Sequence, residues 1–186
     1  MDTKTKPIVP GTLLLSEPFM TEASFTRSVV LITEHSDQGS LGFILNKPTG
    51  HTIGQVLESF PSGDSQLYFG GPVETDSLFY LHNSAHLKGC RKVASGLYFG
   101  GDFDALKSGL LSGEISPRMI RFFAGYAGWD AGQLSNELKT NSWLVSNPHP
   151  ELTFNADASS MWEQILKGMG EEYAELAFYP LDPNLN

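Results

Sequence analysis

Residues 28–46, SVVLITEHSDQGSLGFILN, contain the strongest fold signal in this chain. Two apolar runs, residues 28–35 and 41–46, flank the polar segment Ser36-Asp37-Gln38-Gly39. β-Branched residues favour strands, and a polar segment that ends in glycine is typical of a turn between them. Because both runs are apolar almost throughout, we predict a hairpin of two strands that is buried on both faces.

A second informative stretch follows later in the chain, over residues 120–139. Residues 120–126 are apolar and aromatic, which predicts a central strand. Asp130 and Gln133 then have the spacing of an N-cap and its N3 partner, with Trp129 and Leu134 placed to form a hydrophobic staple. We therefore expect a helix that begins after Asp130 and runs to about Lys139.

The remaining elements are shorter and follow no regular order. Capping pairs at Thr52/Gln55 and Ser160/Glu163 predict helix starts. Apolar residues at i, i+3, i+4 and i+7 from Ile53 extend the first of these helices to Phe60. Lys47-Pro48-Thr49-Gly50 is expected to end the sheet. Further strands are predicted at residues 12–15, 66–69, 78–82, 92–99, 143–146 and 176–179, and a short helix at residues 104–111. Strands in runs with irregularly interspersed helices predict an α+β fold.

Composition limits the class of protein. The 186 residues are 40% hydrophobic and 18% charged, enough apolar content for the core of one domain. The longest aliphatic run is far shorter than the roughly 20 residues of a membrane helix, and the first residues lack the apolar segment of a secretory signal. A single cysteine, Cys90, excludes an internal disulfide. We expect a cytoplasmic protein without a membrane segment.

The net charge of −9 argues against direct nucleic-acid binding, because such proteins usually present a basic face to the phosphates. The acidity is uneven. From Glu151 onward there are seven acids and one base, so the last 36 residues hold −6 of the total. The densest basic group is Lys88, Arg91 and Lys92, in an otherwise nearly balanced body.

Glu34, His35 and Asp37 are the candidate catalytic residues. The histidine lies between two carboxylates at the end of an apolar strand, where an acid could orient it as a general base. Neighbours on a strand point to opposite faces, so Glu34 and His35 share a pocket only if the strand bulges. The alternative interpretation is a strand end whose polar groups satisfy the turn.

The other candidates are weaker. His82 and His86 have i, i+4 spacing but lie on a predicted strand and turn, so we predict no metal site. Cys90 adjoins Lys88, Arg91 and Lys92, and nearby cations stabilise a thiolate, which indicates a redox-sensing thiol or an ordinary loop cysteine. Gly70 and Gly71 lie in a glycine turn that could admit a ligand or a closely packed backbone.

Together these motifs resemble the AlgH/YqgE family of bacterial proteins. The resemblance rests on the opening signature from Gly11 to Pro48, on Phe69-Gly70-Gly71-Pro72-Val73, and on residues 121–138 with Trp143 beyond them. It implies a single compact domain with a bent mixed, largely antiparallel sheet of barrel-like character surrounded by helices. Family members are often labelled as transcriptional regulators, but the resemblance brings no defined activity or catalytic set.

We therefore predict a non-enzymatic binding or regulatory module that acts through a protein or small-molecule partner and uses no cofactor. Asn46, Gly70, Gly71, Trp129 and Gln133 are the candidate ligand-binding positions. The alternatives are a hydrolase that uses His35 with Glu34 or Asp37, and a thiol sensor through Cys90. The expected organisation is a flexible segment over residues 1–10, one domain over 11–180 and a tail over 181–186. The sequence leaves the oligomeric state open.

Overall fold

The computed structural model describes residues 6–147 and 149–179, which form ten strands, six α-helices and two 3-10 turns. The strands are β1 Leu13–Ser16, β2 Val29–Ser36, β3 Gly39–Ile44, β4 Pro48–Thr52, β5 Gln66–Phe69, β6 Val73–His82, β7 Arg91–Ala94, β8 Leu97–Phe99, β9 Ile120–Asp130 and β10 Trp143–Ser146. The helices are α1 Ile53–Val56, α2 Phe103–Ser112, α3 Gln133–Lys139, α4 Pro150–Asn155, α5 Met161–Met169 and α6 Glu171–Ala174. The 3-10 turns are Pro117–Met119 and Glu175–Phe178.

Strand β9 organises the sheet. One of its edges pairs antiparallel with β6, and the other pairs antiparallel with β3 and, further back along β9, parallel with β5. The strand order is β10-β1-β2-β3-β9-β6-β8-β7, with β4 attached to β5. This confirms the α+β fold with a mixed, largely antiparallel sheet. The sheet is not closed, so its barrel-like character stops short of a barrel, and β10 and β7 are edges.

The β2–β3 hairpin is buried on both faces, as its sequence predicts. On one face Leu31 and Phe43 join a core cluster that helix α5 covers with Met161, Trp162, Ile165 and Leu166. On the other face lies a second cluster with the side chains of Val30, Ile32, Ile44, Trp129 and Trp143. The hairpin turn is tighter than expected, because Ser36 already pairs with Gly39 and only Asp37 and Gln38 lie outside the strands.

Gly70, Gly71 and Gly125 form a glycine crossing where the link between β5 and β6 passes β9. A Cβ at Gly71, whose φ is +152°, would lie 2.2 Å from the Tyr126 carbonyl carbon. A Cβ at Gly125, with φ of +70°, would lie 2.5 Å from the Gly71 oxygen. Only glycine allows the backbones to approach this closely, so the glycine turn noted in the sequence is a packing device.

Two predictions about the segment after β3 need correction. Lys47-Pro48-Thr49-Gly50 does not end the sheet, because β4 begins at Pro48 and pairs with β5. Proline is tolerated there as the first residue of a strand. The capping box of Thr52 and Gln55 is present, but its helix ends after one turn at Val56 instead of reaching Phe60.

Two predictions at helix and strand ends are also wrong, and a third, the helix start at Ser160, is confirmed without its capping hydrogen bond. Asp130 is the last residue of β9, and the N-cap of α3 is Gly132, whose φ is +76°. Ser160 is the N-cap of α5 but makes no capping hydrogen bond; its hydroxyl instead interacts with Asp157 and Gln164. The predicted strand over residues 176–179 is replaced by the 3-10 turn, which packs under α5.

None of the helices over the described residues is both long and apolar enough to cross a membrane. The predicted tail over residues 181–186 and the first five residues of the predicted flexible N-terminus lie outside the described residues.

Candidate functional site

A cleft of about 520 Å³ opens where the β2–β3 turn meets the end of β9 and the start of α3. We call it the hairpin cleft. Pairing of Gly39 with Asp130 and of Ser40 with Trp129 fixes its floor. Its lining residues are Glu34, Ser36, Gln38, Gly39, Ser40, Leu41, Val73, Tyr126, Gly128, Trp129, Asp130 and Gln133.

Three side chains of the hairpin cleft have polar groups that make no hydrogen bond to any described residue: Gln38, Tyr126 and Asp130. Gln38 and Asp130 are exposed, whereas Tyr126 is half-buried with its ring edge-on to Phe79 at 5.6 Å between centroids. The Tyr126 hydroxyl is open to solvent in the cleft, since it is not among the buried side-chain atoms that lack a hydrogen-bond partner. The cleft therefore presents hydrogen-bonding groups around an aromatic surface.

Gln133 and Trp129, both predicted ligand-binding residues, line the hairpin cleft but are engaged within the protein. The Gln133 side chain accepts from the Asp130 amide at 3.0 Å and donates to Glu137 at 2.9 Å. Glu137 also accepts from the indole nitrogens of Trp129, at 2.8 Å, and Trp143, at 2.7 Å. Glu137 thus holds the buried indoles of Trp129 and Trp143 in place behind the cleft.

The role of Glu137 was missed from the sequence. Its carboxylate lies one helical turn after Gln133, a spacing that the sequence does contain. Nothing local indicates that both indoles reach the same oxygen, because that contact depends on how β9, α3 and β10 pack.

A smaller depression of about 280 Å³ lies on the other side of the turn and holds His35 and Asp37. His35 Nδ1 lies 2.7 Å from the Ser40 hydroxyl, its cross-strand partner. Asp130 also lines this depression, and Ser40 borders both cavities. Ser40 was overlooked in the sequence, although a hairpin turn centred on Asp37 and Gln38 places it directly opposite His35.

The side chains of Glu34 and His35 lie in different places. A bulge shifts the register between Ile32 and Glu34, but Glu34 and His35 still line different cavities. Glu34 forms a 2.6 Å ion pair with Arg91. The predicted pairing of His35 with Glu34 is therefore absent from this structure, and the same ion pair engages one of the three cations of the predicted basic group.

Asn46, Gly70 and Gly71 line neither the hairpin cleft nor the smaller depression. The Asn46 side chain accepts from the Val29 amide and donates to the Arg27 carbonyl, each at 2.9 Å. It holds the loop before β2 against the end of β3. The two glycines belong to the crossing described above.

Cys90 is half-buried, with its sulfur 3.9 Å from the Ser84 carbonyl. Nearby, burial followed by the charges of Asp102 and Cys90 raises the pKa of Tyr80 to about 12. Burial also lowers the pKa of His82, which is fully buried and accepts from the Ser84 amide at Nδ1 while Nε2 faces the Gly100 carbonyl. These contacts describe a neutral structural histidine.

The described residues contain no group of three His, Cys, Asp or Glu side chains that could hold a metal ion. This applies to the spacing of His82 and His86 as well, since His82 is engaged by backbone groups on both ring nitrogens.

The chain is similar in sequence to proteins of one family. A profile described as AlgH-like matches residues 13–174. A UPF0301 protein of Bacteroides thetaiotaomicron is 43% identical over 95% of this chain and 90% of its own length. A second UPF0301 protein, from Cytophaga hutchinsonii, is 42% identical over 96% of this chain and its full length.

Two solved structures have the same fold. A crystal structure of a Corynebacterium diphtheriae protein superimposes with a TM-score of 0.77 at 25% identity and covers 94% of both chains. The solution structure of the AlgH protein from Pseudomonas aeruginosa gives a TM-score of 0.74 at 26% identity, over 96% of this chain and 98% of that one.

Proposed function

The chain belongs to the AlgH-like family, and from that premise we propose that it is a non-enzymatic binding module whose ligand occupies the hairpin cleft. The observation that carries the proposal is the set of unpaired polar groups on Gln38, Tyr126 and Asp130 around one 520 Å³ cavity. Small-molecule sites typically combine an aromatic surface with a few convergent polar groups in a cavity of this size.

The charges of the hairpin cleft define the class of ligand. Glu34 and Asp130 are its charged lining residues, and no lysine or arginine lines it. Arg91 neutralises Glu34, which leaves Asp130 as the unpaired charge. An anion would meet repulsion here, whereas a neutral polyhydroxylated ligand or an amine would find acceptors and the face of an aromatic ring.

The ligand class can be tested with an NMR-detected screen in which neutral sugars, amines and carboxylates are added in separate pools. We expect shifts around Gln38, Tyr126 and Asp130 from the neutral or amine pools. Asp130→Asn should weaken the binding of a compound identified in this screen by about tenfold, as expected for one lost charged hydrogen bond. Asp76→Asn, an exposed carboxylate outside the cleft, is the matched control.

Two outcomes would contradict this proposal. One is binding by the carboxylate pool alone. The other is a saturable ligand whose affinity is the same in wild type and Asp130→Asn and whose contacts map away from the cleft.

A second candidate function is hydrolysis by the pair Ser40 and His35, favoured by the 2.7 Å contact between the hydroxyl and Nδ1. An imidazole at that distance can take the hydroxyl proton as the serine attacks a carbonyl. Asp37, one of the two carboxylates that the sequence hypothesis pairs with His35, borders the same depression.

The hydrolase candidate predicts that any ester hydrolysis found in a chromogenic screen is lost in both Ser40→Ala and His35→Ala. His51→Ala, an exposed histidine on β4, serves as the control and should retain the rate. Turnover that persists in Ser40→Ala would exclude this mechanism.

A further inference from the structure

A third cavity, of about 320 Å³, lies next to the hairpin cleft, because Gly128, Trp129 and Gln133 line both. Its other walls include residues of the loop before β2, between positions 20 and 25, and Trp143 at the start of β10. We call it the tryptophan cavity. Neither of the functions proposed above makes use of it.

Three packed aromatic rings form a wall of the tryptophan cavity. Phe25 lies edge-on to Trp143 at 5.4 Å between ring centroids and nearly parallel to Trp129 at 6.4 Å. The two tryptophans contact each other at 5.9 Å. Each of the three side chains is less than a tenth exposed, so the wall is already fixed in place without a ligand. Aromatic rings attract alkyl groups, and the electrons of their faces attract cations.

The charged residues of this lining are both acidic. They are Glu22 and Glu137, and no lysine, arginine or histidine lines the cavity. Neither carboxylate forms an ion pair within the described residues. Lys47 donates to the carbonyl of Ala23, next to Glu22 in the chain, but does not line the cavity. The tryptophan cavity therefore holds two negative charges that no described ion pair balances.

Glu137 is half-buried, and within the described chain its carboxylate accepts hydrogen bonds from neutral groups alone. The two indoles and the Gln133 amide use three of the roughly four acceptor positions that a carboxylate offers. Neutral donors orient the carboxylate but leave its charge in place. Because the effective dielectric constant is lower at a half-buried site than in water, a cation is attracted more strongly there.

We propose that the tryptophan cavity binds a small alkylammonium ion, with its charged nitrogen facing Glu22 and Glu137 and its alkyl chain against the aromatic wall. The volume of the cavity lies at the lower end of the range typical of small-molecule sites. The site does not depend on the ligand proposed for the hairpin cleft.

The test is an NMR titration of the full chain with n-butylammonium chloride, with n-butanol as an uncharged molecule of the same chain length. We expect the indole N–H signals of Trp129 and Trp143 to shift and to saturate. The indole of Trp162, which donates to the Ser16 carbonyl away from the cavity, should shift much less. n-Butanol should bind about tenfold more weakly or less, because it lacks the charge.

Glu22→Gln removes one charge without removing a contact, since the Glu22 side chain is exposed and makes no hydrogen bond to a described residue. It should weaken n-butylammonium binding about threefold to fivefold, as expected for an exposed charge. Glu58→Gln, at an exposed position outside the cavity, is the matched control and should bind as wild type does.

Thr21→Lys supplies a tethered ammonium group at the cavity. Thr21 is exposed and lines the cavity, so its replacement should leave the fold intact. The new lysine should lower n-butylammonium affinity by about tenfold or more, because it competes for the same carboxylates. Ser108→Lys places the same charge on an exposed position of α2 and should leave binding unchanged.

The indole of Trp143 separates this site from the hairpin cleft, because Trp143 lines the tryptophan cavity and not the cleft. Asp130→Asn should leave n-butylammonium affinity here within about twofold of wild type. Signals that shift at Tyr126 and Asp130 but not at Trp143 would assign the amine to the hairpin cleft and overturn the present proposal.

Three further results would overturn it. One is the absence of a saturable shift at Trp143 at every n-butylammonium concentration that leaves the protein folded. Another is equal affinity for n-butylammonium and n-butanol, because the cavity would then select apolar chains without regard to charge. The last is wild-type affinity in both Glu22→Gln and Thr21→Lys.

Discussion

The glycine crossing and the hairpin cleft lie only a few residues apart on β9, yet the backbone packs tightly at the crossing and polar side chains stay without partners at the cleft. At the crossing, Gly71 and Gly125 bring backbones so close that no side-chain atom fits between them. At the cleft, Tyr126 and Asp130 keep polar groups without partners in the described chain. Tight backbone packing and polar side chains without partners therefore lie next to each other on the same strand.

The largest loss of stability is expected at the glycine crossing, and a crossing that accepts a larger residue would contradict the comparison. Gly71→Ala should destabilise the protein by at least about 4 kcal/mol, because its Cβ would overlap backbone atoms of Tyr126 and Ala127. Urea unfolding followed by circular dichroism measures the change. Gly132→Ala, with φ of +76° but nothing within 4 Å, should cost only about 1 kcal/mol. Equal costs at the two positions would refute the packing role.

Glu137 lies behind the hairpin cleft, and its removal should have the next largest effect. Glu137→Ala leaves two buried indole N–H groups without an acceptor, which should cost about 3 kcal/mol. Glu137→Gln retains one oxygen and should cost about half as much. Thermal unfolding monitored by tryptophan fluorescence tests both variants, and a Glu137→Ala protein as stable as wild type would exclude the cluster as a structural element.

His82 should make the free energy of unfolding depend on pH. Burial lowers its pKa in the folded state, so the unfolded chain binds a proton more readily. Its contribution to stability is therefore full above the unfolded value of 6.5 and is lost as pH falls from there towards the folded pKa. In urea titrations, His82→Gln should flatten the decline below about pH 6.5. An identical pH slope in the variant would show that folding does not change the pKa of His82.

The smallest effect on stability is expected in the cleft. Asp130→Asn should change the free energy of unfolding by no more than about 0.5 kcal/mol, because its side chain makes no hydrogen bond in the described structure. The same variant should lose affinity for the cleft ligand, so binding and stability separate there. A large loss of stability would instead make Asp130 part of the packed framework.

The sequence predicts much of the fold because burial patterns are local. The two continuous apolar runs and the polar turn within residues 28–46 indicate the hairpin, and the Thr52/Gln55 capping pair marks the start of α1 correctly. The predictions are wrong where a local sequence pattern competes with tertiary packing. Asp130 has the residues of an N-cap around it, but the β3–β9 ladder extends through it and moves the helix start to Gly132.

The candidate site is less predictable. His35 and Asp37 do lie beside one depression, but Glu34 turns to Arg91 and Asn46 holds the backbone of a loop. The sequence places Ser40 opposite His35 once the turn is recognised. It does not indicate the unpaired Tyr126 hydroxyl, because a satisfied and an unsatisfied tyrosine look alike in a sequence.

By itself, the sequence determines the fold class, the family resemblance, the buried hairpin and the acidity of the C-terminal segment, because each depends on composition or on neighbours along the chain. Only the tertiary structure decides that Glu137 holds two tryptophans, that Gly71 lies against Tyr126, and that Glu34 pairs with Arg91. These contacts join residues whose proximity is set by strand order and helix packing, and no local pattern of side chains encodes that order.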